Sequence, residues 1–457
     1  MSRSSGLDWV LTERELEPVI RPLITQSGST IRGLQFPLEW STEQFANDLT
    51  LPVDRKFPVT CLLQHSSGTT GLQKAVALSH RAILEHVRRY GASIGIDQTD
   101  RIVSWLPFYH DMGLIAALYL ALTYGVPLVQ LDPFEWVAVP VLLLEAISVE
   151  RGTLCWLPNF AYNHMADRIH QEDLEGVRLD SVRMFINCSE MVRAESHERF
   201  LQRFHSCGLR PEALAACYAM AETTFAVTQT SPRSKAKVIL VNRDELTRGR
   251  AQTEASPEKA RPCVSSGIPI SGCDIRIVAE NGDDLTERRV GEIAVRSVSL
   301  FDGYRNNPVK TTEVFHEGWY FTGDYGFLHE GECFVVGRKK DLIIVAGKNL
   351  YPEDIEDIVS RVEGILPGRV VAVGIEDPAT GTEQVCVIAE ADLNGADQKA
   401  KAERAIAEAV MQIDVTVGWV FLTPPRWLIK SSAGKPSRKL NRERALIELL
   451  PGGRNDL

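Results

Sequence analysis

The feature that most constrains the fold is an alternation of short apolar runs, glycine-rich turns and amphipathic segments in the first half of the chain. Residues 59–65 (VTCLLQH) are typical of a strand, residues 66–71 (SSGTTG) of a turn, and residues 79–90 of a helix. A second apolar run, residues 182–187, precedes a helical stretch at residues 194–204. Repeated strand, turn and helix units predict an α/β fold with a largely parallel sheet and helices on its faces.

The chain of 457 residues is long enough for two to four domains, and its character changes twice. Residues 231–262 are charged and poor in large apolar side chains, as expected of loops and short connections. We predict a large N-terminal domain, residues 1–338, of mixed and mostly parallel sheets with helices, ending in a small β subdomain at about residues 263–338. After a basic segment, we predict a small, mobile α+β C-terminal domain, residues 339–457, whose first helix begins near Pro352.

Charge and cysteine usage narrow the class of protein. Fifty Lys and Arg against sixty Asp and Glu give a formal net charge of -10, so we expect no nucleic-acid partner. The nine cysteines form no C-x-x-C pair, which fits buried thiols in a reducing compartment better than disulfides or a zinc site. The first ten residues lack the apolar core of a signal peptide, and the longest apolar stretch is interrupted by Gly125 and Pro127. The sequence therefore predicts a cytoplasmic protein without an integral membrane segment.

One loop, which we place between a strand and a helix, combines the groups that hold phosphate. Glycines let backbone N–H groups turn towards an oxyanion, hydroxyls donate hydrogen bonds, and a lysine adds positive charge. The spacing is not that of a Walker loop, in which a lysine follows the second glycine directly. A phosphate-binding loop and a flexible polar turn both fit these residues alone. The residues are Ser66, Ser67, Gly68, Thr69, Thr70, Gly71 and Lys74.

Four further short sequence strings each place a charged side chain at a turn or near a glycine. Glu222 follows an apolar run, and Asp324 follows a glycine in a turn where a carboxylate can hold a ribose diol. Arg338 supplies a fixed cation at the predicted domain boundary, and Lys435 follows a glycine near the C-terminus. Each string alone also fits a solvated turn or a basic tail.

In this order and spacing, the five strings resemble the superfamily of adenylate-forming enzymes, which contains acyl-CoA synthetases, nonribosomal-peptide adenylation domains and luciferases. The resemblance runs from about residue 63 to residue 440. Residues 105–114 (WLPFYHDMGL), 187–193 (NCSEMVR) and 337–356 (GRKKDLIIVAGKNLYPEDIE) look most like the fatty-acyl-AMP ligase and acyl-CoA synthetase branches. The resemblance implies an ATP-dependent ligase that converts a carboxylic acid to acyl-AMP and releases pyrophosphate. It further implies transfer of the acyl group to the thiol of CoA or of a carrier-protein phosphopantetheine.

The resemblance also implies a role for each matching residue. The loop at residues 66–71 and Lys74 would orient the β- and γ-phosphates of ATP, and Glu222 would hold Mg²⁺. Lys435 would bridge the carboxylate and the α-phosphate during adenylation, and Lys340 would be the hinge of the C-terminal domain. The other implied contacts are His110 between the carboxylate and the thiol, Asn187, Ser189 and Glu190 at the adenine, Tyr218 stacked on the base, Thr223 at the α-phosphate, and Asp324 and Arg338 at the ribose.

The match departs from the family in three places. Only 65 residues precede Ser66, fewer than in most relatives. We interpret this difference in one of three ways: a homodimer compensates for the short segment, the acyl pocket is reduced, or one half-reaction is lost. Ala219 stands where glycine is usual and favours a small or flat acid. No spare segment of the kind that separates acyl-AMP ligases from CoA ligases lies between Phe315 and Tyr320. The acceptor therefore stays open.

Two other classes of function compete with the ligase. Residues 91–95 (GASIG) match the G-x-S-x-G pattern of serine hydrolases at Ser93, but that pattern needs a strand before the serine and we predict a helix there. A non-catalytic nucleotide-binding scaffold would not need to keep Glu222, Asp324, Arg338 and Lys435. A ligase that has kept only one half-reaction remains open.

Overall fold

The computed structural model describes residues 6–25, 31–39, 59–66, 74–345, 348–377, 382–393, 395–430 and 436–449. The strands of these segments are β1 Trp9–Leu11, β2 Gly33–Gln35, β3 Thr60–Ser66, β4 Lys74–Ser79, β5 Ile102–Ser104, β6 Leu128–Gln130, β7 Leu154–Leu157, β8 Met184–Asn187, β9 Leu214–Ala219, β10 Ala226–Gln229, β11 Val238–Asn242, β12 Ala260–Val264, β13 Ile268–Pro269, β14 Cys273–Val278, β15 Gly291–Ser297, β16 Gly303–Tyr304, β17 Phe315–His316, β18 Trp319–His329, β19 Glu332–Arg338, β20 Ile343–Val345, β21 Lys348–Leu350, β22 Ile365–Asp377, β23 Thr382–Ala391 and β24 Val417–Thr423.

The α-helices of the same segments are α1 Glu17–Ile24, α2 His80–Ile94, α3 Leu120–Tyr124, α4 Pro133–Ala138, α5 Val141–Glu150, α6 Asn159–Arg168, α7 Ala194–Phe204, α8 Arg243–Thr247, α9 Pro308–Val314, α10 Pro352–Val359, α11 Ala396–Met411 and α12 Arg438–Glu448. A π-helical segment, Met112–Tyr119, leads into α3. Short 3-10 turns lie at Arg14–Leu16, Pro37–Glu39, Glu172–Leu174, His205–Cys207, Pro211–Ala213, Ala221–Thr223 and Lys339–Asp341.

The largest sheet confirms the predicted α/β class. Its seven strands follow the order β13, β10, β9, β8, β7, β5, β6. Strands β5 to β9 pair in parallel, whereas β10 and β13 pair antiparallel at one edge. Every residue of β7 and β8 is buried, as expected of parallel strands covered by helices on both faces. The core around this sheet includes Trp136, Trp156, Phe185 and Phe200.

The prediction that the glycine-rich loop joins a strand to a helix is wrong. After this loop the chain forms a further strand, β4, which pairs antiparallel with β3 on one side and with β16 on the other. Helix α2 begins only after β4, with the Ser79 hydroxyl accepting a hydrogen bond from the Ala82 N–H at 3.1 Å. Residues 75–78 of β4 are all buried and therefore lack the alternation that marks a half-buried strand. The loop thus connects two antiparallel strands.

The serine of the G-x-S-x-G match lies inside a helix. Ser93 is in the last turn of α2, and its hydroxyl donates to the Tyr90 carbonyl oxygen at 2.7 Å. Gly95, at φ 59°, ends this helix in the left-handed conformation that glycine adopts without strain. A nucleophile elbow needs a strand before the serine, so the structure does not support the serine hydrolase.

The β subdomain is an antiparallel sheet of five strands. Its path is β14, β15, β18, β17, and β19 pairs with β18. The chain that leads to it is more regular than predicted, because residues 231–262, expected to be loops, contain β11, α8 and the start of β12. Strands β11 and β12 pair antiparallel, and Val241 and Leu246 are buried against Phe327 and Phe334 of the five-stranded sheet.

The C-terminal residues pack into cores of their own. Strand β23 pairs antiparallel with β22 and parallel with β24. Helices α10 and α11 cover one face, where Ile355, Ile406 and Val387 are buried together. Helix α12 covers the other face, where Ala445 is buried with Cys386. The domain limits at residues 338 and 339 and the hinge at Lys340, which lies in the 3-10 turn Lys339–Asp341, stay predictions.

Two further expectations concern thiols and membranes. All nine cysteines lie in described segments and are free thiols; seven are buried, whereas Cys61 is exposed and Cys207 is half-buried. Within the described part of the chain, no helix is both long enough and apolar enough to cross a membrane.

A cluster of charges joins helix α10 to the N-terminal part of the chain. Asp354 on α10 lies 3.0 Å from the Arg261 guanidinium of β12, and Arg261 is only 5% exposed. Arg193, which precedes α7, donates to the Glu353 carbonyl oxygen at 2.5 Å and lies 3.7 Å from Asp357. These contacts hold the C-terminal residues in the observed orientation.

We expect Arg261→Met to lower the free energy of unfolding by about 3 kcal/mol, because it leaves the Asp354 carboxylate, which is only 16% exposed, without its closest cation. The matched control is Arg361→Ala, which removes an exposed ion pair with Glu195 across the same junction and should change stability by at most about 1 kcal/mol. Denaturant unfolding followed by tryptophan fluorescence measures both changes. Equal, small losses in the two variants would show that the buried pair does not hold the junction.

Candidate active site

A cleft with a volume of about 1580 Å³ opens between the large sheet and the β subdomain. Part of its wall comes from segments that follow the carboxyl ends of β5, β8 and β9, at residues 108–111, Ser189 and residues 219–222. The strand order reverses at β5, which has β6 on one side and β7 on the other. Ligands of open α/β sheets bind at the carboxyl ends of the strands beside such a reversal. The cleft is therefore the candidate active site.

An acid and a lysine in the cleft share one tyrosine. Glu222 is only 8% exposed, and its Oε1 accepts a hydrogen bond from the Tyr304 hydroxyl at 2.9 Å. The Lys74 ammonium lies 4.7 Å from the centroid of the Tyr304 ring. Burial raises the pKa of Glu222, against the effects of Tyr304 and Lys74, and burial lowers the pKa of Lys74 against the effect of Glu222. Titratable groups in a cleft whose pKa values are shifted by burial and by a charged neighbour are typical of functional sites.

The backbone beside Glu222 is strained. Thr224 has φ 71° and ψ -48°, a conformation that β-branched residues rarely adopt. Its N–H donates to the Ala221 carbonyl oxygen at 3.0 Å, and its hydroxyl donates to the Ser299 carbonyl oxygen at 2.9 Å. These bonds hold the sharp turn that brings Glu222 into the cleft directly after β9. Such strain is held in place most often at functional sites.

A second charged cluster lies on the antiparallel sheet. Asp324 on β18 and Arg338 on β19 are paired in register, and the Arg338 Nε lies 3.3 Å from Asp324 Oδ1. The Tyr218 hydroxyl donates to Asp324 Oδ2 at 2.7 Å. Burial raises the pKa of Asp324, an effect that the Arg338 charge opposes. An ionised carboxylate has about four acceptor positions, so these two contacts leave room for a diol.

His110 lies in the cleft wall on the loop after β5. Its Nδ1 is 2.6 Å from Asp111 Oδ1, and the Met112 N–H donates to that oxygen at 2.8 Å. The Gln64 amide donates to the Tyr109 carbonyl oxygen at 2.9 Å and ties this loop to β3. The loop therefore holds His110 in a defined position in the lining of the cleft, to which Glu222 also belongs.

Three of the residues that the resemblance places at the nucleotide make their hydrogen bonds away from the cleft. The Asn187 amide is fully buried and donates to Asn159 at 3.0 Å. Glu190 accepts the Phe160 N–H at 2.9 Å, and the buried Thr223 hydroxyl donates to main-chain carbonyl oxygens. The cleft lining includes Lys74, His110, Ser189, Glu222, Asp324, Arg338 and Lys340, but not Asn187, Glu190, Tyr218 or Thr223. The roles of all these residues stay predictions.

The rest of the predicted site lies outside the described residues. Ser66 ends β3, where its backbone pairs with that of Lys74. The loop between them and the C-terminal lysine are not described; the predicted site residues concerned are Ser67, Gly68, Thr69, Thr70, Gly71 and Lys435.

Sequence reasoning missed Tyr304. It stands 82 positions after Glu222 and follows no recognisable motif, and only the pairing of β16 with β4 brings it to the cleft. Pairing between distant strands leaves no local signal in one sequence. The nearest sequence signal for Tyr304 was the occurrence of two aromatic residues, Phe301 and Tyr304, on either side of Gly303.

The residues present fit Mg²⁺ bound together with a nucleotide. In the described segments, no group of three or more His, Cys, Asp or Glu side chains could hold a metal ion by itself. Mg²⁺ in nucleotide-binding enzymes is usually held by one or two carboxylates, substrate phosphates and water. Glu222 supplies one such carboxylate, and its Oε2 is the atom not bonded to Tyr304.

The family model described as AMP-binding enzyme matches residues 17–305. A Mycobacterium tuberculosis protein named as a ligase is 32% identical over 423 residues, which cover 91% of this chain and 76% of that protein. The medium-chain fatty-acid–acyl-carrier-protein ligase JamA of Moorena producens is 34% identical over 408 residues, which cover 84% of this chain and 67% of JamA.

Solved structures of fatty acyl-adenylate ligases are also similar to this chain. A structure from a study of fatty acyl-adenylate ligases of E. coli and L. pneumophila has a TM-score of 0.86 and 28% identity to this chain, and covers 96% of this chain and 78% of its own. A fatty acyl-adenylate ligase from L. pneumophila, in complex with acyl adenylate and pyrophosphate, has a TM-score of 0.70 and 29% identity. It covers 98% of this chain and 78% of its own.

Proposed function

Because the chain belongs to the AMP-binding enzyme family, we propose that it joins the carboxylate of a fatty acid to AMP, with release of pyrophosphate, and passes the acyl group to a thiol. The observation that carries this proposal is the placement of two clusters in one cleft. Glu222 and Lys74 suit a polyphosphate, and Asp324 with Arg338 suits a ribose. The family match supports an enzyme of the ligase class and not a non-catalytic scaffold.

The chemistry requires that two anions meet. One carboxylate oxygen forms a bond to the α-phosphorus while the bond from that phosphorus to the bridging oxygen of pyrophosphate breaks. Bound Mg²⁺ would supply charge that offsets the phosphates and the developing charge on pyrophosphate. Glu222 would hold this ion, Lys74 would neutralise the β- and γ-phosphates, and Lys435 would bridge the attacking carboxylate and the α-phosphate. Fixed charges of this kind, placed before the reaction, stabilise the transition state.

The substrate we propose is a fatty acid. The apolar part of the cleft lining includes Leu62, Leu63, Leu114, Met220 and Phe315, which suit an alkyl chain. The names of JamA and of the L. pneumophila enzyme refer to fatty acids or fatty acyl groups. These relatives favour a fatty acid over the small or flat acid that Ala219 suggested.

The acceptor is CoA or the phosphopantetheine of a carrier protein. JamA is named for a carrier protein, and other relatives are named fatty-acid–CoA ligases. The structure of McyG, with a TM-score of 0.80 and 25% identity, joins an adenylation domain to a peptidyl carrier protein. A member restricted to one half-reaction is the second candidate, and a homodimer stays a prediction.

A pyrophosphate-release assay tests the proposal. We expect release that depends on ATP, Mg²⁺ and a fatty acid, and that is weaker with short aliphatic or small aromatic acids at equal concentration. If no acid in the panel gave more pyrophosphate release than the acid-free control, the proposal would be refuted.

We expect Lys340→Pro to spare adenylation and slow thioester formation. Lys340 lies in a 3-10 turn, and the usual φ of such a turn, about -50 to -70°, includes the value that proline fixes. We therefore expect the observed orientation to be accessible to the variant, whereas rotation about this residue is restricted. Transfer to a thiol requires that Lys435 leave the acyl carbon, which a domain rotation achieves. Separate assays of acyl-AMP formation and of transfer from supplied acyl-AMP measure the two steps. An unimpaired second step would show that the chain does not rotate about Lys340.

A further inference from the structure

The proposed function assigns Glu222 to a metal ion and Lys74 to phosphate, but it leaves open what sets the distance between them. The Tyr304 side chain contacts both. Its hydroxyl donates to Glu222 Oε1 at 2.9 Å, and its ring lies beneath the Lys74 ammonium, 4.7 Å from ring centroid to Nζ. Tyr304 is 5% exposed and packs against Phe301, with 4.9 Å between ring centroids.

The backbone fixes Tyr304 relative to Lys74. Strand β16 pairs with β4, which begins at Lys74, so that Tyr304 lies opposite Val76. The Arg305 N–H donates to the Ala75 carbonyl oxygen at 2.8 Å, which extends the ladder towards Lys74. The Tyr304 N–H donates to the Thr311 hydroxyl at 2.9 Å. The backbones of Tyr304 and Lys74 therefore belong to the same sheet, which fixes the position of the tyrosine relative to the lysine.

We propose that Tyr304 is a positioning residue, which orients the Glu222 carboxylate for Mg²⁺ and seats the Lys74 ammonium for the phosphates. The hydrogen bond to Oε1 fixes the rotation of the carboxylate and presents Oε2 to the ion. Groups that hydrogen-bond to a metal ligand orient it in this way, and their loss typically weakens metal affinity about 10- to 100-fold. The ring face attracts the ammonium by a cation–π contact. This inference rests on the proposed function.

The test is Tyr304→Phe, which removes the hydroxyl and keeps the ring. We expect the Mg²⁺ concentration for half-maximal acyl-AMP formation to rise about 10-fold or more. The KM for the fatty acid should stay unchanged, and kcat should recover at saturating Mg²⁺. The dissociation constant of Mn²⁺ from the complex with the non-hydrolysable ATP analogue α,β-methylene-ATP, measured by electron paramagnetic resonance, should rise by a similar factor without any turnover.

A second variant separates the two contacts. Tyr304→Leu removes the ring as well, and we expect it to weaken binding of the nucleotide analogue measured without metal, which Tyr304→Phe leaves unchanged. The matched control is Tyr162→Phe, which removes a fully buried hydroxyl that has no hydrogen-bond partner in the described structure and lies outside the cleft lining. This control should leave the Mn²⁺ dissociation constant unchanged.

Position 304 can also carry 4-fluorophenylalanine, which keeps the ring and nearly the volume of tyrosine but cannot donate a hydrogen bond, in case Tyr304→Phe does not fold. A Mn²⁺ dissociation constant that is the same as in the parent protein, in whichever of these two variants folds, overturns the inference. The outcomes are distinct from those for the proposed function. A parent that forms acyl-AMP while Tyr304→Phe leaves metal affinity unchanged refutes the inference alone, and a Tyr304-dependent Mn²⁺ affinity in a parent that forms no acyl-AMP refutes the function alone.

Discussion

Lys435→Ala is expected to reduce acyl-AMP formation by about 10²- to 10³-fold, the range seen when one preorganised group that stabilises transition-state charge is removed. The proposed role of Lys435 is to offset the charge of the carboxylate and the α-phosphate as they approach. That repulsion exists only in the first half-reaction, because acyl-AMP already contains the bond between them. Thioester formation from supplied acyl-AMP should therefore stay near the rate of the parent protein.

The matched control for Lys435→Ala is Lys439→Ala. Lys439 lies four positions further along the chain, is half exposed and pairs only loosely with Glu443 at 3.8 Å. We expect this control to leave both half-reactions unchanged. Equal losses in both half-reactions of Lys435→Ala would refute the assigned role and point to a general effect on folding or on nucleotide binding.

Asp324→Asn is expected to weaken ATP binding about 10- to 100-fold. The change replaces charge-assisted hydrogen bonds to the ribose, which contribute roughly 1.5–3 kcal/mol, by weaker neutral ones. The Arg338 guanidinium, 3.3 Å from the carboxylate, would also lose its closest anion. Isothermal titration calorimetry with ATP and with adenine alone measures the effect, which should be confined to the ligand that carries a ribose.

The control for Asp324→Asn is Asp274→Asn on the same subdomain. Asp274 is 63% exposed and pairs with Arg296 at 2.9 Å, away from the cleft lining. It should bind ATP like the parent protein. An ATP affinity of Asp324→Asn equal to that of this control would remove Asp324 from the nucleotide site.

The sequence predicted the fold where the pattern is local. Buried runs such as β8, followed by the amphipathic α7, identify parallel strands and their helices without further information. Strand β4 was missed because its residues 75–78 are buried on both faces and run straight into α2. The pair β11 and β12 was missed because Val238 and Leu240 are partly exposed in a charged segment. Each of these elements also needs a contact that is distant in the chain: β4 pairs with β16, and Val241 of β11 packs against Phe327 and Phe334.

The same reason limits prediction of the site. Glu222, Asp324 and Arg338 were found because each stands in a recognisable string, and all three lie in the cleft lining. Asn187 and Thr223 stand in such strings too, yet their side chains bond inward, and a single sequence does not show which way a buried polar group faces. Tyr304 was not found because only the pairing of β16 with β4 brings it to Glu222.

In the proposed reaction, a fatty-acid carboxylate attacks the α-phosphorus of ATP. The most direct measurement uses a fatty acid labelled with ¹⁸O in both carboxylate oxygens, incubated with ATP, Mg²⁺, the protein and a thiol acceptor, followed by mass spectrometry of the nucleotides. We expect AMP that carries one ¹⁸O atom, because the attacking oxygen remains on phosphorus when the acyl group leaves, together with unlabelled pyrophosphate. Unlabelled AMP, or ADP as the product, would contradict this reaction.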